Sequence, residues 1–467
     1  MSKSLQVENQ LATRYASKQI IQIFDLSKRF VLEREFWIEV LKLQKKFGMK
    51  IEATEIEKYE KVKEIVDLES IFNREKMLKH DVKARIEEFN ALANSEVIHI
   101  GLTSRDVTEN VELIQIKLGL RVIISNLSAI LGIFCKLIKD HKSTYIVART
   151  HNKPAQLTTL GKRYSDYAEE LLSGLQEIEH QVVTLPFRGL KGATGTQTDL
   201  ASIFSHAEII KMEKLLAERF GFSLITSSTG QIYPRSIDAK WSSALLNGIS
   251  SINSYATTFR LMSGFDLIDE IKEKSQVGSS AMPHKNNPRT AERINGLMEI
   301  ARGFQHMLQN LSGNQWNEGD VYCSVVRRVA VPNLFYAIDG ITRSALFLLE
   351  NSVVNSNKIN EEITKYLPQI ISSKLLIELT KQGMGRESAH KLVSELIENM
   401  QDNAIKEFRE RLLKNTNFKI SSSQIDGFFS GYESLVGNAV LQSETMIERL
   451  LPFEQIRSNN YFENIQI

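Results

Sequence analysis

Apolar residues recur along the middle of this chain at alternating steps of four and three, the spacing that places one side of an α-helix against a core. Each of three such rows predicts a helix of about 25–30 residues, about 40 Å long at roughly 1.5 Å per residue. Helices of this length need aligned partners, and because one chain supplies only about five of them, we expect several copies to associate. The alternative is a monomeric bundle. The three rows are Leu120, Ile124, Leu127, Leu131, Phe134 and Ile138; Trp241, Leu245, Ile249, Ile252, Ala256 and Phe259; and Ile294, Leu297, Ala301, Phe304, Leu308 and Leu311.

The chain as a whole is predicted to be all-α. Its first proline is Pro154, and so long a run without proline, rich in Leu, Ile, Glu and Lys, favours helices. Strand signals are sparse, although residues 223–226 could form a short hairpin near residues 186–195. The helices lengthen from Asp106 and shorten again after about Asn355. These changes predict three helical domains, which are residues 1–105, a central long-helix bundle at 106–355, and residues 356–467.

Composition and charge narrow the class of protein. Apolar residues make up 42% of the chain and charged residues 24%, which is typical of a soluble globular protein. The net charge is only +2, so we expect no nucleic-acid partner, although a local basic cluster could bind a small anion. Residues 1–15 contain no secretory h-region, and no apolar run approaches about 18 residues, so neither a signal peptide nor a membrane helix is predicted. The two cysteines, Cys135 and Cys323, predict no disulfide framework and no zinc site, and they fit a cytoplasmic protein.

Residues 278–288 form the segment in which potentially reactive polar side chains are most concentrated. Their sequence is Gly-Ser-Ser-Ala-Met-Pro-His-Lys-Asn-Asn-Pro, and the glycine and prolines predict a loop between helices. The hydroxyl, amide and cationic groups suit the capture of a carboxylate or phosphate. A serine beside a lysine and a histidine is also a candidate proton acceptor. The alternative is a turn whose polar groups only cap helix ends.

Two further clusters contain groups suited to acid–base or anion chemistry. His151 precedes Pro154, which is predicted to start a helix, so the imidazole is either a cap or satisfied core group, or a general acid. Thr103 or Ser104 is predicted to be the N-cap of the first long helix. The free amides of that helix end also form an anion site, so capping and anion binding are compatible there.

Two other clusters give weaker signals. Residues 189–197 are glycine-rich but lack the spacing of a phosphate loop, so a nucleoside triphosphate is not predicted. Arg327 and Arg328 lie on or near a helix, either on a solvated face or at an anion site.

Taken together, these clusters resemble the fumarase/aspartase superfamily, and within it the adenylosuccinate lyase family. Residues 278–288 are similar to the superfamily signature, and the resemblance extends from about residue 13 to about residue 330. It implies a three-domain, all-helical subunit. Four copies would pool their long helices in a twenty-helix core, with each active site built from three subunits. The other matching segments, in order, are residues 14–17, 80–82, 101–106, 149–159, 188–197, 229–231, 315–316 and 324–328.

The resemblance implies a β-elimination that releases fumarate from adenylosuccinate, giving AMP, and from the succinylated aminoimidazole carboxamide ribotide of purine biosynthesis. By this resemblance Ser279 is the general base at the carbon next to a carboxylate, and His151 protonates the departing nitrogen. His80 assists charge balance nearby. Lys285 and Asn287 hold the charge that develops on the carboxylate. The reaction implies no metal and no organic cofactor.

The resemblance also implies a set of substrate contacts. The succinyl carboxylates are expected to meet Thr103 and Ser104. The nucleotide phosphate is expected to be held by Arg14, Tyr15, Ser324 and Arg328. The remaining expected contacts are Lys79, Asp81, Gln231, Met282 and Arg293.

Three positions depart from the family pattern. Lys79 stands where the family often has an arginine, and Asn286 stands where a basic residue is commoner. Gly319 stands where an arginine would help to bind the phosphate. Losing such a charge-assisted contact costs about 1.5–3 kcal/mol, roughly one to two decades in affinity. Arg327 or Lys191 could substitute for it, or the enzyme could release fumarate from a different N-substituted succinate. A helical scaffold without catalysis is the remaining hypothesis, and the intact acid and base positions argue against it.

Overall fold

The computed structural model describes residues 8–271, 282, 285–398, 404–415, 421–429 and 431–456, and over these residues the chain is mostly helical, with only short strands. The all-α prediction is therefore confirmed. The α-helices are α1 Gln10–Arg14, α2 Lys18–Phe24, α3 Leu26–Lys46, α4 Ala53–Val62, α5 Leu68–Leu78, α6 Asp81–Ala93, α7 Ser104–His141, α8 Leu160–Thr184, α9 Thr198–Ala201, α10 His206–Arg219, α11 Ser236–Gly248, α12 Ser250–Gly264, α13 Arg289–Gln309, α14 Tyr322–Glu350, α15 Ser356–Lys381, α16 Arg386–Ile397, α17 Ala404–Lys414, α18 Ser422–Phe429 and α19 Ala439–Leu450. Short 3-10 turns cover Glu433–Leu435 and Leu451–Phe453. The strands are β1 Tyr145–Thr150, β2 Lys153–Thr159, β3 Ile268–Glu270 and β4 Ser352–Val354.

The 38-residue helix α7 lies at the centre of the bundle. It packs parallel to α14, as two contacts show. Gly119 meets the ring of Phe335, and further along both helices Asn126 donates to Asp339 at 3.1 Å. α8 runs antiparallel to α7, with Phe134 close to Tyr164. All six residues of the first apolar row lie in α7, and all but the half-buried Ile124 are buried.

The second and third rows form shorter helices than predicted. The second is split at Ile249 into α11 and α12. The break follows Gly248, where α8 and α11 touch so closely that a Cβ on Gly174 would lie 2.5 Å from the Gly248 Cα. The third row forms α13, which has 21 residues and ends at Gln309, so the buried Leu311 lies beyond the helix.

The two ends of α7 define the two ends of the molecule. At the Ser104 end, α11 and α14 also begin, and Arg105 reaches Ser324. At the His141 end lie both small strand pairs, where the Arg149 guanidinium sits 4.2 Å from the centre of the Phe265 ring. Loops from distant parts of the sequence are thus gathered at opposite ends of a long bundle.

The prediction that Pro154 starts a helix is wrong. Pro154 lies in β2, opposite Arg149 of β1, and the chain turns at His151 and Asn152, whose φ angles are 51° and 59°. Proline has no backbone N–H to donate. An edge strand of a two-stranded hairpin tolerates that loss, just as the first turn of a helix does.

The short hairpin predicted at residues 223–226 is also absent from the described residues. Instead, Ile225 makes a single parallel bridge to Phe187, whose backbone N–H and C=O bond Leu224 and Thr226 at 2.8 Å each. A parallel contact of this kind needs the intervening helix α10, so it cannot be a local hairpin.

The buried apolar residues form two cores. The main core runs from Ala16 to Leu450 and joins the amino-terminal helices to the central bundle. A smaller core lies between Leu367 and Phe428, and α19 then returns to pack on α7 and α8. The division into domains at 1–105, 106–355 and 356–467 stays a prediction. By length and composition α7 could cross a membrane, but 72% of its most apolar window is buried in this fold.

Candidate active site

The start of α7 presents Thr103 and Ser104 from a rigid base. Thr103 is the N-cap, as predicted, and its backbone N–H donates to the fully buried Asp106 carboxylate at 2.8 Å. The same carboxylate accepts from Arg188 at 2.5 Å and from the backbone N–H of Lys191 at 2.8 Å. The glycine-rich segment therefore folds around Asp106 and fixes the first turn of α7, where backbone N–H groups and the helix dipole favour an anion.

Gln231 and Gly319 lie side by side. The backbone N–H of Gln231 donates to the Glu318 carbonyl at 2.7 Å, and a Cβ on Gly319 would lie 3.1 Å from the Gln231 Cβ. A Cβ on Gly230 would approach the Glu318 carbonyl oxygen to 2.4 Å. The position of the missing arginine is thus directly beside a predicted substrate contact.

His80, Asp81 and Arg328 form a third group at this end of the molecule. His80 caps α6, and its Nδ1 accepts from the Lys83 backbone N–H at 3.2 Å while the ring stays largely exposed. Arg328 donates to Asp81 at 3.0 Å. Burial raises the pKa of Asp81, but Arg85 and other positive neighbours outweigh it and hold that pKa below its usual value. Lys79 is exposed, at the left-handed C-cap of α5.

Both residues suggested as replacements for the missing arginine are buried and paired with carboxylates. Arg327 is 3% exposed and donates to Asp238 at 2.8 Å and to Glu112. Burial alone would raise the pKa of Glu112, but Arg327 and other guanidiniums lower it to about 2. Lys191 is 5% exposed and lies 2.9 Å from Glu213. Both are thus held in buried ion pairs, and the expectation that one of them binds the ligand stays a prediction.

Arg14, Tyr15 and Arg293 meet on the side of the bundle. The Tyr15 side chain packs over Gly340, and its carbonyl accepts from Arg343 at 3.1 Å. Burial lowers the pKa of Arg293, and the nearby Tyr15 opposes that effect. Arg14 is exposed beside them, so this group presents two cations and a phenol.

His151 lies at the exposed tip of the β1–β2 hairpin. Two residues before this tip, Arg149 pairs with Glu362 of α15. Within the described part of the chain, no hydrogen bond or ion pair ties the imidazole to another residue. The hairpin therefore holds the ring out into solvent at the His141 end.

The proposed base Ser279 lies outside the described residues, as do residues 272–281, 283 and 284. Glu270 precedes this segment and binds residues that follow it, because its carboxylate accepts from the Thr290 N–H at 2.9 Å and its carbonyl accepts from the Asn286 side chain at 2.9 Å. Burial raises the pKa of Glu270. Sequence reasoning missed this residue, because an acid at the end of a three-residue strand carries no distinctive pattern.

The three other residues of the segment that were predicted to act are described. Met282 is 45% exposed and its carbonyl accepts from the Lys285 N–H at 3.0 Å. Lys285 is exposed and Asn287 is half-buried. They lie at the start of α13, at the His141 end of the bundle. In the described part of the chain, no three His, Cys, Asp or Glu side chains are grouped as a metal site.

One chain cannot bring all the predicted groups to one small molecule. α7 separates Ser104 from His141 by about 55 Å. The ten residues from His141 to His151 reach at most about 35 Å, so Ser104 and His151 of one chain lie at least about 20 Å apart.

Comparisons with known proteins agree with this architecture. A family model described as "Lyase" matches residues 2–303, and one described as "Adenylosuccinate lyase C-terminus" matches residues 368–446. The adenylosuccinate lyase of Schistosoma mansoni is 31% identical over 456 residues, covering 96% of this chain and 93% of that protein.

Two solved structures share the fold. The 3-carboxy-cis,cis-muconate lactonizing enzyme of Pseudomonas putida has a TM-score of 0.82 at 18% identity, over 95% of this chain and 100% of that one. A fumarate lyase from Mesorhizobium sp. BNC1 has a TM-score of 0.79 at 17% identity, over 93% of this chain and 98% of that one.

Proposed function

The chain belongs to the adenylosuccinate lyase family of the fumarase/aspartase superfamily, and we propose that it releases fumarate from adenylosuccinate to leave AMP. The related succinylated aminoimidazole carboxamide ribotide is the second proposed substrate. Both reactions break a carbon–nitrogen bond in an N-substituted succinate, so a site that holds the succinyl group serves both.

The main support for this proposal is the arrangement of hydroxyl groups at the start of α7. Thr103 and Ser104 stand at the positive end of a 38-residue helix and are held there by the buried Asp106 and Arg188. Preset donors of this kind bind a dicarboxylate without reorganisation. They would hold the succinyl carboxylates while the chemistry takes place at the adjoining carbons.

The elimination needs one base and one acid on opposite sides of the breaking bond. We propose that Ser279, as an alkoxide, removes the proton from the carbon next to a carboxylate. Lys285 and Asn287 would stabilise the resulting carbanion, whose charge spreads into that carboxylate. His151 would then protonate the departing nitrogen as the carbon–nitrogen bond breaks, and fumarate leaves. His80 would assist charge balance nearby.

We propose that the active site is shared among the subunits of a homotetramer, whose core holds twenty long helices. The separation of Ser104 from His151 supports sharing. So does an apolar, exposed strip at the start of α14, where Val321, Val325 and Val329 are 69%, 64% and 48% exposed. Antiparallel packing of copies would place the His141 end of one bundle beside the Ser104 end of another. We propose a cytoplasmic location, which suits two buried free cysteines.

A direct assay tests the proposed substrate. Purified protein incubated with adenylosuccinate should produce fumarate and AMP in equal amounts, followed by ultraviolet absorbance and by chromatography of the nucleotide. Absence of both products would contradict the substrate assignment.

A second candidate is a lyase that acts on another N-substituted succinate. Gly319 favours it, because the arginine expected to bind phosphate is missing. A screen for fumarate release across succinylated amines separates the two. A better substrate without a phosphate group would favour the second candidate.

A further inference from the structure

Arg105 occupies a position next to the missing arginine. It follows Ser104 in the first turn of α7, and its side chain is 14% exposed. One terminal nitrogen, Nη2, lies 2.5 Å from Ser324 Oγ and 3.2 Å from the carbonyl of Asp320, the residue after Gly319. A guanidinium therefore lies against both the serine proposed to bind phosphate and the segment that lacks its own arginine.

The charges around Arg105 leave this site positive. Among the described residues, one connected set of ion pairs runs from Arg105 to Arg328 and contains six guanidiniums but five carboxylates. Its members are Arg29, Arg85, Arg105, Arg235, Arg327 and Arg328 with Glu33, Asp81, Glu109, Glu112 and Asp238. The excess charge is thus shared by a set whose two end members, Arg105 and Arg328, flank Ser324.

The partner of Arg105 does not cancel its charge. Glu109 accepts from Arg105 at 3.0 Å, but it also accepts from Arg235 through both oxygens, at 2.8 and 2.6 Å. Arg235 and Glu109 are both fully buried, so this second pair is not screened by water. Arg105 thus shares a carboxylate that is already neutralised.

We infer that Arg105 supplies the phosphate-binding guanidinium that Gly319 lacks, so that this chain selects a succinylated ligand with a phosphate monoester. The inference rests on the proposed function. Ser324 Oγ accepts from Arg105, which leaves the serine hydrogen to donate to a phosphate oxygen. Arg105 and Ser324 together then offer two donors to one phosphate, and Arg328 adds a second cation.

The test compares adenylosuccinate with its nucleoside, which lacks only the phosphate. Arg105→Gln should lower kcat/KM for adenylosuccinate by roughly 10- to 100-fold, mainly by raising KM, and should leave the nucleoside within about twofold of wild type. Arg105→Lys keeps the charge without the two-pronged geometry and should give an intermediate loss. Arg386→Gln, an exposed arginine in the carboxy-terminal segment, is the matched control.

An equal loss on both substrates, or no loss on either, would overturn the role of Arg105. Failure of the proposed function has a different outcome, since the wild-type protein would then act on neither compound. Thermal unfolding of each variant, measured alongside, separates loss of contact from loss of fold.

Discussion

A single buried carboxylate, Asp106, decides where the two hydroxyls proposed to hold substrate are placed. It accepts hydrogen bonds from the Thr103 and Lys191 backbones and from Arg188, so it joins the start of α7 to the segment that contains Arg188 and Lys191. Sequence reasoning predicted the N-cap at Thr103 or Ser104, because that signal is local. It could not predict Arg188 as the partner, since 82 residues separate the two and only the fold brings them together.

The proposed acid and base can be tested one residue at a time. Ser279→Ala and His151→Ala should each lower kcat by about two or more decades, the loss typical of a general acid or base. Both positions are proposed to act on the ligand alone, so the thermal unfolding midpoint should stay within a few degrees of wild type. Near-normal turnover of either variant would remove that residue from the mechanism.

His99 should make stability depend on pH. Its Nδ1 accepts from the Trp37 indole N–H at 3.0 Å, and burial lowers its pKa from 6.5 to about 4. Between these values the unfolded chain holds the extra proton, so the free energy of unfolding should fall as pH drops from about 6.5 to about 4, by on the order of 3 kcal/mol.

The matched variant for this effect is His99→Asn, since asparagine tolerates the φ of 67° at this position. Chemical unfolding at a series of pH values should show a shallower decline for the variant than for wild type. Parallel declines would mean that other groups cause the pH dependence.

At the scale of elements, the long helices could be predicted from the sequence, but the break between α11 and α12 could not. The row in α7 was found because its period is set by the helix alone, whereas the break at Ile249 arises where α8 crosses α11. His151 shows the same limit. Pro154 suits both the first turn of a helix and a two-stranded hairpin, and only pairing with β1 decides between them.

The crossing of α8 and α11 should be sensitive to one methyl group. Gly174→Ala would place a Cβ 2.5 Å from the backbone of Gly248, which cannot yield as a flexible side chain would. Alanine favours a helix by about 1 kcal/mol over glycine, but overpacking costs about 1–3 kcal/mol. Because the neighbouring atom is backbone, the cost lies at the upper end of this range, and we expect the free energy of unfolding to fall by about 1–2 kcal/mol.

The control for that change is Gly427→Ala in α18, where no atom lies within 4 Å of the added Cβ. It should leave the chemical unfolding midpoint unchanged or raise it slightly. A Gly174→Ala variant at least as stable as wild type would show that the two helices separate without cost.

At the scale of the whole molecule, the length of α7 determines how far apart the proposed functional groups of one chain lie. It places Thr103 and Ser104 at one end of the bundle, and the hairpin with His151 at the other. The family resemblance predicted shared sites from sequence, and the described geometry gives a physical reason for sharing. The role of Ser279 stays a prediction, because this residue lies outside the described part of the chain.

Mixing two inactive variants tests most directly whether separate copies complete one site. Ser104→Ala and His151→Ala, co-expressed in equal amounts, should regain about a quarter of the wild-type rate of fumarate release, the fraction of sites that receive both intact residues by chance. Thr103→Ala mixed with Ser104→Ala should stay inactive, because both residues belong to the same helix start. If the first mixture also stays at the level of its parents, the groups act within one chain or not at all, and the account is contradicted.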